Sequence, residues 1–462
     1  MHLISSPTLN IIQRRILFIL IISTIICFSP SKTLAYVAPY FCIMLLYFRR
    51  IIETSIVNKT ILLLLLFYLL GFYYFIIFPG FLIKNYILSI ITYGSFIALY
   101  LVNNKSVYNH WLFYKIITFI SVVIILEGSI GIGQYLYMLL LKGWSIALGD
   151  VLEGTIHLNP ESGGGFNNPI FSVNMIFMTS FLVLFKNYYN NNYKKTFQIN
   201  TAIKIGVVSI LLGTVVHAII FFILSIFFAM IIIYRQSIIR IILTKKIIFP
   251  FLLTSIMLIN MSNYFIPHLS LIKYYYKFAT EYPEYFPKSD ITIKSITIIP
   301  DENPSMVILG FGPGQFSSRA SLILSGYYIG GTESKDREQL GNQVNPAMER
   351  YLLPLMLNPK TSIRGSTSKP YYSILSIYTE MGILGIFLII FIIVKILIKI
   401  KIQGNSLVKK EKLIFLSQLI FLLLLGFQEN YWEFTQAIFP GLLLMNIEFN
   451  YIKNKANFPF RY

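Results

Sequence analysis

Charge is scarce in this chain. Of 462 residues only 12% are Asp, Glu, Lys or Arg, while 56% are hydrophobic. A soluble globular chain carries about 25% charged residues, so a water-surrounded fold is excluded. Cysteine is nearly absent. Cys27 and Cys42 are the only two, and both lie in apolar runs, so no disulfide framework is available to an outer domain. A Gly-x-x-x-x-Gly-Lys-Ser/Thr loop is missing, which argues against nucleotide-driven transport within the chain. No Asp-x-Asp pair is present to hold a metal-bound nucleotide sugar. His2, His110, His157, His217 and His268 show no metal-ligand spacing. Glu153, His157 and Glu161 recur at four-residue intervals, but Gly154 and Pro160 interrupt the helix that would align them.

What fills the chain is long uncharged apolar segments. Ile61 to Phe78 is one of many, and a bilayer takes about 20 residues to cross. Lipid cannot satisfy open backbone groups, so such runs are helices or closed barrels. These are continuous rather than alternating, which selects an all-α polytopic membrane protein. The pattern predicts about twelve spans: 15–29, 33–48, 60–79, 81–102, 111–132, 169–186, two short ones dividing 201–234 near Gly213 to His217, then 247–266, 383–400, 412–428 and 434–452. The first is read as a signal anchor, because further spans follow at once.

The formal net charge of +19 fits this topology better than nucleic-acid binding. With the N-terminus inside, the inner loops hold Arg49, Arg50, Lys59, Lys105, Lys194, Lys195, Arg235, Arg240 and Lys409, while the 427–434 loop carries Glu429 and Glu433. Both termini are then cytoplasmic. The chain divides into 1–266, with nine spans and a smaller outer loop at 142–168; a large outer loop, 267–370; and 371–462, where an interfacial helix at 371–378 leads into three last spans.

Candidate chemistry gathers on the outer side. Leu309 to Phe316 is a Gly-rich turn containing Gly310, Gly312 and Gly314. A cation series follows: Arg319, Lys335, Arg337, Arg350, Arg364 and Lys369, of which Lys335 is offset by Glu333, Asp336 and Glu338. Arginine suits phosphate because its planar fork makes paired hydrogen bonds. Glu127 and His217 are ionisable residues inside apolar segments, where such groups are functional candidates.

Three segments in this order resemble the O-antigen polymerase and ligase superfamily, often called Wzy/WaaL-like. Gly163 to Pro169 resembles the Gly-x-Phe-x-Asn-Pro segment that opens a span, Leu309 to Phe316 the Leu-Gly-x-Gly-x-Gly-x-Phe turn, and Tyr371 to Gly385 the passage ending in Glu-x-Gly-x-x-Gly. The chain departs from the family at Glu161, where an Arg is usual, and at Tyr371, where ligases carry His; His217 falls near the family's Ser-Arg pair. The resemblance to a Wzy-type O-antigen polymerase implies a glycosyltransferase of GT-C-type architecture in the bacterial inner membrane, with the large loop periplasmic. It implies undecaprenyl-diphosphate-linked oligosaccharides as substrates, no cofactor, no metal and a possible chain-length regulator protein as partner. Ligation to lipid A-core is the alternative within the class, and a polysaccharide flippase the alternative outside it. Expected catalytic residues are Glu161, His217 and Glu380. Arg319, Arg350, Arg364, Lys369 and the three loop glycines are expected to bind substrate.

The topology predicts that reporter fusions at Ser289 and Gln403 give opposite sidedness; matching sidedness contradicts it.

Overall fold

The computed structural model describes residues 6–48, 69, 71–78, 80–99, 110–143, 151–159, 167–186, 193–213, 215–242, 286–326, 344–357, 369–402 and 409–457. Among these the chain is helical. The long helices are α1 (Ser6–Cys27), α2 (Lys32–Phe48), α3 (Ile83–Thr92), α4 (His110–Lys142), α5 (Asn167–Phe185), α6 (Tyr193–Gly213) and α7 (Val216–Ile242). Four short helices belong to the large loop: α8 (Pro287–Ile296), α9 (Ile298–Glu302), α10 (Ser305–Leu309) and α11 (Arg319–Leu324). After a π-turn at Met348–Leu352 come α12 (Leu353–Met356), α13 (Ser373–Ile402), α14 (Lys409–Gln428) and α15 (Thr435–Asn457). Six of the described helices, α4, α5, α6, α7, α13 and α14, contain stretches long and apolar enough to cross a membrane.

The bundle is built around α5. Its Phe171, Phe177, Phe181 and Phe185 are all fully enclosed, and it packs against α4, α6, α14 and α15. An apolar helix buried on every side is the expected centre of such a bundle. Small residues let neighbours approach: a side-chain carbon at Gly441 of α15 would stand 2.5 Å from the Phe177 ring, and one at Gly206 of α6 would stand 2.3 Å from the Thr179 hydroxyl. By contrast α13 presents Phe387, Leu388, Ile390 and Phe391 outward, as a lipid-facing helix does.

Several expectations change in detail. The 201–234 stretch divides between Gly213 and Val216 as predicted, but into helices of 21 and 27 residues rather than two short spans. The start of α6 at Tyr193 carries the helix back through Lys194 and Lys195, past the apolar run. The 81–102 span is not one α-helix; after Thr92 it tightens to a 3-10 turn over Tyr93–Leu99. There Gly94 meets the Tyr40 ring so closely that a side-chain carbon would stand 2.6 Å from it. The interfacial helix and the next span form one element, α13, broken at Gly382. The 247–266 span and most of 60–79 lie outside the described residues.

The large loop has its own core of Ile291, Ile299, Met306, Phe316, Leu322, Met348 and Leu352, all fully buried. It docks on α13 through two glycines. Gly310 and Gly382 both have positive φ (73° and 63°). A side-chain carbon at Gly310 would stand 2.2 Å from the Glu380 carbonyl carbon, and one at Gly382 would stand 2.2 Å from the Ile308 carbonyl oxygen. Backbone lies against backbone, and neither side can yield.

Gly310→Ala therefore costs more than about 2 kcal/mol, from left-handed backbone and clash together. Gly133 in α4 meets nothing within 4 Å. Gly133→Ala removes only helix-interior glycine flexibility and is neutral or stabilising by up to about 1 kcal/mol. Thermal unfolding of the two purified variants checks the contrast.

Candidate functional site

The break at Gly382 sets the site geometry. A helix interrupted there loses the donors that would have met the carbonyls of Thr379 and Glu380. The Gly-rich turn supplies them: the Phe311 N–H donates to the Thr379 carbonyl at 2.8 Å and the Gly312 N–H to the Glu380 carbonyl at 3.0 Å. The Glu380 side chain then takes the rest of the turn. Its Oε2 accepts from the Gly314 N–H at 2.6 Å; its Oε1 accepts from Phe316 at 2.8 Å and Ser318 at 2.9 Å. A run of backbone donors around a concavity is an anion site, and here the chain's own carboxylate occupies it. On the opposite side Gln315 exchanges hydrogen bonds with the backbone of Leu82, at 2.8 and 3.0 Å, and accepts from Asn345 at 3.1 Å. The turn is thus wedged between α13 and the start of α3.

Arg319 is delivered by this turn. It follows Ser318 directly and opens α11. Its side chain is only 3% exposed. The guanidinium lies 3.6 Å from the Phe434 ring centroid and 5.8 Å from that of Tyr36, a cation–π setting. The Arg319 N–H donates to the buried Glu433 carboxylate, whose charge also acts on the guanidinium. Burial raises Glu433 well above the usual carboxylate range. The Tyr93 side chain hydrogen-bonds the same carboxylate. Lys32 feels the charges of Arg319 and Glu153.

Loops distant in sequence close around this point. The Gln436 amide donates to the Ser29 carbonyl at 2.8 Å, and Thr155 Oγ1 lies 3.0 Å from the Phe28 carbonyl oxygen. Asn430 donates to the Ser317 carbonyl at 2.9 Å. The 151–157 segment is held on α4 from below. Gln134 bonds the backbone of Glu153, Gly154 and His157, while Glu127 accepts from the Thr155 N–H at 2.9 Å and its hydroxyl at 2.6 Å. Beside the centre, His217 Nε2 lies 2.7 Å from the Tyr431 hydroxyl. Lys288 donates to the Gln428 carbonyl near Glu429, and burial lowers its pKa to about 8. Tyr371, which stands where ligases carry His, is buried within the fields of Glu429 and Arg319, and burial raises its pKa.

The predicted residues separate accordingly. Arg319 is central, and His217 lies alongside, bonded to Tyr431. Lys369 is half-buried two residues before Tyr371, and burial lowers its pKa. Arg350 is 65% exposed and paired with Glu302 at 2.8 Å, outside the buried cluster. Glu380 is an anchor whose oxygens are occupied by backbone donors. The N–H groups of Gly310, Gly312 and Gly314 are all given to protein acceptors, so these glycines shape the turn rather than offer donors to a ligand. Glu161 and Arg364 lie outside the described residues. Glu153 and His157 do meet, at 2.7 Å, across a 3-10 turn that positive φ at Gly154 permits; the glycine closes the turn that was expected to separate them. Sequence reasoning missed Glu433, Lys32 and Lys288. Two acids in a six-residue aromatic loop between apolar helices were the available signal for Glu433.

Glu380→Gln turns an acceptor oxygen into an amide facing N–H donors, and costs about 1–3 kcal/mol at the turn. Hydrogen exchange at residues 310–318 should accelerate in this variant, while α5 stays protected; unchanged exchange at the turn contradicts the anchor role. No family model, no curated protein and no solved structure matches this chain, so the site is described on its own geometry.

Proposed function

We propose that the chain is a Wzy-type surface-polysaccharide polymerase of about twelve spans and GT-C-type architecture. It transfers a growing undecaprenyl-diphosphate-linked glycan onto another lipid-linked repeat unit at the outer face of the inner membrane. The carrying observation is Arg319, a buried cation held over Phe434 beside Glu433 at the loop end of an apolar bundle. The order of the three family-like segments supports the same reading.

The chemistry follows from charge. As the sugar–phosphate bond breaks, negative charge grows on the departing lipid diphosphate. Arg319, with Lys32 in its field, stabilises that charge, and low dielectric strengthens the effect. Lys369, two residues before the buried Tyr371, meets the same diphosphate, and Arg364 is expected there from sequence alone. Glu433 takes the proton from the acceptor hydroxyl. Burial makes it a stronger base than an exposed carboxylate.

Arg319→Ala should lower polymer formation by about a hundredfold or more, equivalent to about 2–4 kcal/mol. Arg319→Lys recovers part, since a point charge lacks the paired geometry. Arg350→Ala, which removes an exposed pair, leaves chain length unchanged within about 1 kcal/mol. Because Glu433 holds its proton above the usual carboxylate range and works deprotonated, the rate should rise with pH through its value. Glu433→Gln should lose that limb along with activity. Deletion of the protein followed by glycan electrophoresis tests the assignment itself. A polymerase mutant leaves core plus one repeat unit; a bare core with lipid-linked polymer accumulating selects ligase instead.

A further inference from the structure

Far from the loop end, α14 and α15 bury a second ionisable group. Glu448 is 0% exposed, as is Gln418 opposite it. The Gln418 amide nitrogen donates to Glu448 Oε1 at 3.0 Å. Neither Glu448 Oε2 nor Gln418 Oε1 meets a donor. Glu448 lies about 13 residues after Thr435, or about 20 Å along the helix, so it cannot reach Arg319 or Glu433 chemistry. The surroundings are apolar or amide: the Phe449 ring lies tilted against Phe415, and Asn446 is spent on the Ala98 carbonyl at 2.6 Å.

Among the described side chains no ion pair reaches Glu448. Of the elements packed against α15, α5 carries no titratable side chain. Among described side chains, α1 offers Arg14 and Cys27, α2 Lys32, Tyr36, Tyr40 and Cys42, and the 93–99 turn Tyr93. The 431–433 turn offers Tyr431 and Glu433, and α14 offers Glu411 and Lys412 in its first turn. Glu448 bonds none of these; Gln418 is its partner. An ionised carboxylate with one neutral amide donor in a membrane-spanning bundle is very costly. A carboxylic acid is not, and it also resolves the two donor-less oxygens. With the proton on Oε2, Glu448 keeps Oε1 as the acceptor of the Gln418 amide and offers an O–H to Gln418 Oε1.

We propose that Glu448 and Gln418 form a proton-binding site inside the spanning bundle, separate from the loop-end site, where one bound proton clamps α14 to α15. The ligand is the proton itself. Protonated at neutral pH, the pair holds two helices together by a neutral hydrogen bond; deprotonation leaves an unscreened charge between them.

Infrared difference spectroscopy of the full-length protein in liposomes reads this directly. Wild type minus Glu448→Gln at pH 7 should show loss of a carbonyl stretch of a protonated carboxylic acid, the same in sodium and in potassium. Loss of the carboxylate bands instead overturns the proposal. So does an acid band that appears only when sodium is removed, which assigns the oxygens to a metal cation. Gln418→Leu keeps the carboxyl in place and should shift the acid band to higher wavenumber, because its acceptor is gone. This second variant gives the readout even if Glu448→Gln does not fold, and an unshifted band overturns the pairing.

Discussion

Three backbone N–H groups point at the carboxylate of Glu380, and the position of Arg319 follows from them. The contact spans 62 to 66 residues of sequence and lies at the top of a lipid-facing helix. It depends on Gly382, which breaks α13 and exposes two carbonyls, and on Gly310, which lets the turn lie against that break. Remove either glycine and the turn cannot dock. With the turn docked, the residue after Ser318 enters the polar end of the bundle with its guanidinium between Phe434 and Tyr36.

That polar end is where the membrane environment makes electrostatics strong. A buried guanidinium gives up water and is compensated here by an aromatic face and by the Glu433 carboxylate. Each partner comes from a different connection: Tyr36 from α2, Glu433 from the turn before α15, Arg319 from the large loop. Glu153 and Lys32 extend the cluster toward the 151–157 segment. Arg319, Glu433 and Glu153 are buried there and Lys32 is exposed at the edge, an arrangement that suits an anionic headgroup arriving from the bilayer better than a pathway running through the spans.

The helical, membrane-spanning character was legible, because span length is imposed by the bilayer and written in composition. The helix break before Val216 and the re-entry at Ser373 could be placed from apolar runs alone. The 3-10 tightening after Thr92 could not, since it follows from the Tyr40 ring lying against Gly94. The site was legible in outline. The Gly-rich turn and the Glu380 passage were both recognised, the first as a binding element and Glu380 as catalytic, but their meeting is a tertiary fact, and it makes them anchors of one another. Arg319 could not be told from Arg350 by sequence, since both are arginines in one loop; burial against Phe434 and exposure beside Glu302 separate them. Glu448 was hidden inside the last helix, which was read only as an apolar run.

The central claim is that a lipid diphosphate meets Arg319 at the loop end. A cryo-electron microscopy structure of the full chain with undecaprenyl diphosphate tests it most directly. The account predicts diphosphate density against the Arg319 guanidinium with the 310–318 turn still bound to Glu380. Density at the other end of the bundle, or on the exposed Arg350 side of the loop, contradicts it.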